Sequence, residues 1–244
     1  YIKRMPMSTF KEQRRGGQGV AGIAWQKDND YLKDLYVVST HDHLLIFTNK
    51  GRCYWLKAWQ IPEASRRSKG RPLVNLLEDI QPDEKISTVL KIPSFEDEGY
   101  VFLVTKNGIV KKSTLQDYSN PRRKGVWAVN LDEGDELISA RTVFEDDQVM
   151  LFTKNGMAVR FAQEDARSMG RVARGVKGIS LKEKDDEVVS CVVAKEGKSV
   201  LVVCLKGFGK RTPVEDFRMT KRGGVGVRSI ITSDRNGLVL GAVC

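Results

Sequence analysis

Arginine, lysine and glycine are the residues of this chain whose types and spacing could do chemistry. The densest case is QRRGGQG at residues 13–19. Arg14 and Arg15 offer planar forks of N–H donors that match phosphate oxygens. Gly16, Gly17 and Gly19 lack a Cβ, so the backbone N–H groups around them could approach an anion closely. Gln13 and Gln18 add neutral donors and acceptors, and Lys11 adds a positive charge just upstream. The chemistry on offer is non-covalent anion binding. The same composition also suits a flexible, solvated loop, so the rest of the chain must discriminate.

The signature recurs four times: RRSKGRPLVNL (66–76), RRKGVWAVNL (122–131), RVARGVKGISL (171–181) and KRGGVGVRSI (221–230). Gly19 aligns with Gly70, Gly125, Gly175 and Gly226, at steps of 51, 55, 50 and 51 residues. The basic candidates in these copies are Arg66, Arg67, Lys69 and Arg71; Arg122, Arg123 and Lys124; Arg171, Arg174 and Lys177; and Lys221, Arg222 and Arg228. Residues 11–15 carry +2, residues 66–71 carry +4, and 122–125, 171–177 and 218–222 carry +3 each. The whole chain carries only +10, so everything outside these windows is net acidic. The positive charge belongs to one kind of loop, repeated at one period.

The elements that must position those loops repeat as well. An apolar strand, a Gly turn and a second strand appear in LLIFTNKGRCYWL (44–56), VFLVTKNGIVKKS (101–113), VMLFTKNGMAVRF (149–161) and VLVVCLKGFGKRT (200–212). Val101–Val104 and Val149–Phe152 are apolar at every position, the pattern of strands buried on both faces. Gly51, Gly108, Gly156 and Gly207 supply the positive φ that tight hairpin turns need. An acidic loop and a further β-like segment usually follow, as in ISTVLKI (86–92), LISARTVF (137–144) and VVSCVVAK (188–195). About four short strands in about 50 residues is the signature of a propeller blade. The expectation is one all-β domain over 1–244, with repeats near 1–42, 43–99, 100–147, 148–197 and 198–244. The first repeat starts at its second strand, and GLVLGAVC (237–244) falls where a further repeat would begin.

Equivalent loops of successive blades occupy equivalent places, so five basic loops predict a belt. A curved basic belt suits a bent duplex, whose many phosphate contacts offset a bending cost on the order of 1–6 kcal/mol. No base-reading element is visible, so little sequence preference is expected. Other chemistries find less support. Cys53, Cys191, Cys204 and Cys244 form no C-x-x-C pair, which argues against a disulfide framework or zinc site and for a reducing, cytoplasmic setting. His41 and His43 form an isolated His-x-His pair, too few ligands for a metal site. Asp97, Asp146 and Asp147 lie in polar loops without a partner base or nucleophile, so no catalysis is expected. No apolar run approaches the ~18 residues of a membrane span. Trp25, Trp55, Trp59 and Trp127 are expected to pack between blades.

QRRGGQG at 13–19 resembles the gyrase-A box, Q-R-R-G-G-[K/R]-G, and 37–77 with GYVFLVTKNGIVKK and VMLFTKNGMAVRF resembles the blades of the same family. Across essentially the whole chain, the sequence is similar to the C-terminal domain of the A subunits of bacterial DNA gyrases. The resemblance implies a β-propeller variant, the β-pinwheel, of six blades that exchange strands with their neighbours. It implies a non-catalytic domain that wraps double-stranded DNA around a basic rim. The full enzyme, a type IIA topoisomerase, then supercoils DNA negatively, with ATP and Mg bound elsewhere. The N-terminal part of the gyrase A subunit and the gyrase B subunit are the implied protein partners. The cleavage tyrosine lies outside this chain, so none of Tyr1, Tyr31, Tyr36, Tyr54, Tyr100 or Tyr118 takes that role. Two features depart from the family pattern. Gln18 replaces a basic residue, and five repeats are visible where six are usual, which implies a truncated or missing last blade. The alternatives are the topoisomerase IV counterpart, which can have five blades but lacks an intact box, and a protein-interaction propeller.

Overall fold

In the computed structural model, which describes residues 1–10, 12–19, 21–23 and 31–244, the apolar runs become the central strands of four antiparallel sheets. The first sheet contains β1 (His43–Thr48), β2 (Arg52–Lys57) and β3 (Ile86–Ile92). The second contains β4 (Tyr100–Thr105) and β5 (Ile109–Thr114), to which β6 (Val126–Trp127) is the next segment in the chain, followed by β7 (Leu137–Val143). The third contains β8 (Gln148–Thr153), β9 (Met157–Ala162) and β11 (Val188–Ala194), with β10 (Val176–Lys177) falling between β9 and β11 in the chain. The last repeat supplies β12 (Ser199–Cys204), β13 (Gly209–Pro213), β14 (Val227–Arg228) and β15 (Val239–Val243).

The two-residue strands do not join the sheet of their own repeat. The sheet orders are β3-β1-β2-β6, β7-β4-β5-β10, β11-β8-β9-β14 and β15-β12-β13. Each repeat therefore sends a short strand back to the sheet before it. Val126, Val176 and Val227 pair with Cys53, Val110 and Ala158 in the same register. The antiparallel bridge between Ile2 and Arg71 reproduces this step for residues at the start of the chain. Val239–Val243, which the repeat spacing placed at the start of a further unit, instead pairs with β12 and belongs to the fifth repeat's sheet.

The inner strands converge. Ser87 Oγ donates to Leu137 O, Arg141 Nε to Cys191 O at 3.1 Å, and Ser190 Oγ to Ala242 O at 3.0 Å, which ties β3 to β7, β7 to β11 and β11 to β15. Since β3, β7, β11 and β15 line the inside, β6, β10 and β14 are outermost. Between the sheets lie apolar layers, such as Leu45, Phe47, Leu103 and Tyr118 in one and Phe102, Val149 and Phe161 in the next. Val101–Val104 and Val149–Phe152 are buried on both faces, because each sheet is sandwiched between neighbours.

Polar ties at one recurring position fix the spacing between sheets. Trp55 Nε1 donates to Tyr118 O at 2.8 Å, Lys112 Nζ to Gln163 O at 3.2 Å, and Arg160 to Val214 O and Phe217 O at 2.8 and 2.9 Å. All three reach a single-turn helix that follows the next hairpin. Buried carbonyls need such donors. Lys111 is also buried, donating to Ser113 Oγ and Ala128 O at 2.7 Å each. Loss of hydration pushes its ammonium down to about 7, with Asp117 acting weakly in the opposite sense. It braces the chain just beyond β6 from inside and presents no charge to solvent.

Candidate nucleic-acid interface

The basic loops at 122–125, 171–175 and 221–226 precede the outermost strands and so sit on the perimeter, and the loop at 66–71 leads into the equivalent bridge at Arg71. The glycines that begin the exchange are constrained by protein rather than freed for a ligand. Gly175 has φ +97°, and a Cβ there would come within 2.7 Å of Val110 O. Gly226 has φ +82°, and its Cβ would run into Ala158 O. Gly70 and Gly125 repeat the arrangement against Ile2 and Cys53–Tyr54. The close approach to an anion suggested for Gly19 does not carry over to these four aligned glycines: what approaches closely is the neighbouring strand.

QRRGGQG forms a closed turn. Gly17 N–H donates to Arg14 O at 3.1 Å, and Gly19 N–H donates to Gln13 Oε1 at 3.0 Å. Gly16 and Gly19 take positive φ with open space around them. Arg14, Arg15 and Gln18 are all exposed on this turn. Gly19 has the same left-handed backbone as its four counterparts, so the repeat alignment holds in conformation too. Lys11 and Trp25 lie outside the described residues.

The other predicted residues fall into two groups. Arg67, Arg71, Arg122, Lys124, Lys177, Lys221 and Arg228 are exposed on the perimeter, and Arg123 is exposed 3.9 Å from Glu78. Arg66, Lys69, Arg171 and Arg222 are half-buried. Lys69 Nζ lies 3.9 Å from the centre of the Tyr1 ring, and Arg222 donates to Asp165 O and Lys177 O at 2.8 and 3.0 Å. Arg174 is exposed but held in a fork by Asp132, at 2.5 and 2.6 Å, and that carboxylate raises its pKa. Lys3, missed in the sequence, donates to Ser65 O, Arg66 O and Ser68 O and sets the shape of the loop at 66–71. Its basic character amid a short β-like segment was the available signal.

The loops join edge to edge. Arg52 donates to Asp79 O and Lys124 O, Asn130 N–H to Ala173 O at 3.4 Å, and Ser180 N–H to Gly224 O at 2.9 Å. The segments at 66–84, 122–132, 171–180 and 221–228 thus form a continuous band across successive sheets. Acidic residues punctuate it: Glu78, Asp79 and Asp132 sit against Arg123, Arg52 and Arg174. An anion that takes the Nε–Nη2 face of Arg174 must displace Asp132. Asp132→Asn is expected to tighten duplex binding by roughly two- to fivefold, the range that exposed ion pairs contribute. A filter-binding titration at low salt checks this; unchanged affinity would mean that Arg174 is not a contact.

Two tryptophans depart from the packing expectation. Trp55 lies between sheets as expected, but Trp59 and Trp127 are 58% and 56% exposed. His43 stacks edge-on against Phe95 at 4.8 Å, and burial together with Lys57 lowers its pKa.

Three strand-exchanged four-stranded sheets and a fourth of three strands around a common inside, with a basic band on the outside, define a β-propeller of the pinwheel kind. Comparison with known proteins makes the assignment specific. The family model described as DNA gyrase C-terminal domain, beta-propeller, matches residues 1–39, 42–93, 99–143, 147–195 and 199–244, and the chain belongs to that family. It is 57% identical over 244 residues to the DNA gyrase A subunit of Chlamydia pneumoniae, covering all of this chain and 29% of that protein. It is 43% identical over 242 residues to the DNA gyrase A subunit of Staphylococcus epidermidis (strain ATCC 12228 / FDA PCI 1200), covering 98% of this chain and 27% of the relative. The chain thus spans less than a third of the relatives it matches. Among solved structures it resembles a C-terminal domain of DNA topoisomerase IV (TM-score 0.80, 27% identity, all of this chain and 74% of that one). It also resembles a DNA gyrase A C-terminal domain (TM-score 0.76, 27% identity, all of this chain and 79% of that one).

Proposed function

We propose that this chain bends duplex DNA and wraps it around the outer band, with no catalytic chemistry of its own. The observation that carries the reading is the placement of the basic loops. Strand exchange puts the four at 66–71, 122–125, 171–177 and 221–228 on the perimeter, in one register, and hydrogen bonds join them into a continuous track. A duplex that follows the track replaces condensed counterions with arginine and lysine at each sheet, so its affinity falls steeply with salt. Contact with phosphates rather than base edges makes the binding largely indifferent to sequence. On this reading the full-length protein is a gyrase A subunit. Its remaining part and a gyrase B subunit would carry DNA cleavage and ATP hydrolysis, with Mg, in the cytoplasm, and this domain would need no cofactor. Wrapping would present a second DNA segment in the sense that strand passage converts to negative supercoils.

Ligation of nicked plasmid on the saturated chain tests it. The linking number of the closed product is expected to shift in proportion to bound protein and to relax as salt rises. An unshifted distribution at saturating binding would overturn wrapping. Tight binding of a protein partner that tolerates salt would favour the interaction-platform reading instead.

A further inference from the structure

Resting on the DNA-wrapping reading, we infer that Trp127 is a DNA contact of a different kind from the arginines and lysines: an apolar contact set among them on the track. The register carries the inference. In three successive sheets the second residue of the exchanged strand is Trp127, Lys177 or Arg228, opposite Arg52, Ile109 and Met157 respectively. Directly opposed residues of an antiparallel pair point to the same face. The indole therefore leaves the perimeter at the place where two other sheets leave it with a positive charge. All three side chains are exposed.

Trp127 is held there rather than left loose. The Arg52 guanidinium lies 5.9 Å from its ring and 5.0 Å from the Tyr54 ring. Arg52 in turn donates to Asp79 O at 3.1 Å and lies 3.5 Å from Glu84. Arg122, Arg123 and Lys124, all exposed, immediately precede the strand. A large indole at 56% exposure loses apolar contact with protein and gains none in water. A duplex drawn onto the flanking cations brings deoxyribose and groove floor against it. The contact adds affinity without charge, which helps to offset the elastic cost of holding the duplex bent along the track.

The test uses Trp127→Phe, Trp127→Ala and Lys177→Ala in the 244-residue chain, titrated with a duplex of several helical turns across a salt series. Trp127→Ala is expected to weaken binding about tenfold, the scale of losing roughly 55 Å² of apolar contact removed from water. The slope of log K against log salt should stay at the wild-type value, because no charge is lost. Lys177→Ala should flatten that slope by about 0.9. DNA should change the tryptophan fluorescence of the wild-type chain, and Trp127→Phe, which keeps an aromatic ring and the fold, should remove most of the change. Wild-type affinity in Trp127→Ala, or a full fluorescence change in Trp127→Phe, overturns the inference while leaving wrapping intact. A wild-type chain that fails to bind duplex overturns the reading on which the inference rests.

Discussion

Gly226→Ala is expected to destabilise the protein by about 4 kcal/mol, whereas Gly207→Ala should cost only about 1 kcal/mol. Both glycines have left-handed backbones, with φ +82° and +81°. That conformation alone costs an L-residue roughly 1–2 kcal/mol. The surroundings separate them. A methyl group at Gly207 meets nothing within 4 Å, while at Gly226 it would enter the Ala158 carbonyl and crowd Val159 N. Relief at Gly226 requires β14 to move off β9, which adds an overpacking cost of roughly 1–3 kcal/mol. It would also displace the outer strand that carries Arg228 and loosen the neighbouring loop contact between Ser180 and Gly224. Urea denaturation of the two variants, compared at equal m-value, measures the difference. Equal losses of stability would show that the exchanged strand does not depend on close approach at Gly226.

This glycine shows where the sequence is legible and where it is not. The hairpins were readable because turn glycines and doubly apolar strands are local signals, and β1–β2, β4–β5, β8–β9 and β12–β13 lie where those signals fall. The period of the basic loops was readable for the same reason. Strand exchange was not, in the residues themselves. Val126–Trp127, Val176–Lys177 and Val227–Arg228 are too short for a periodicity, and their partners lie about 70 residues earlier. Without those partners, the aligned glycines looked like phosphate-binding positions, and Trp127 looked like a packing residue. The pairing of Arg174 with Asp132 was hidden likewise, since 42 residues separate a charge in one loop from its partner in another. Charge counting therefore found the band but overstated how much of it is free. Arg160 and Lys112 gave a clue that went unused: a basic residue inside a doubly apolar strand needs a buried acceptor, and both find carbonyls in the next sheet.

Arg14→Ala combined with Arg15→Ala is expected to uncouple binding from wrapping. The turn at 13–19 differs from the other four loops in how it is held. Its two internal hydrogen bonds, to Arg14 O and Gln13 Oε1, close the loop on itself. A Cβ at Gly19 meets nothing, whereas Gly70, Gly125, Gly175 and Gly226 are each pressed against another strand. Both arginines are exposed, and neither is held by an acid among the described residues, in contrast to Arg174. No side chain among the described residues occupies their donors. Two lost phosphate contacts should flatten the salt slope by about 1.8. At low salt the band at 66–228 still holds a short duplex, so short-duplex affinity should fall modestly. A wrap also needs contacts at the end of its path, where DNA stiffness springs the duplex away from the surface, and the elastic cost of holding the bend is then no longer offset. The linking-number shift in plasmid ligation should therefore drop by more than half while short-duplex binding stays within about tenfold of wild type. Gln18→Lys should act in the opposite direction and extend the shift to higher salt. If the double variant loses short-duplex binding and linking-number shift in parallel, the turn is one phosphate site among five rather than the element that completes the wrap.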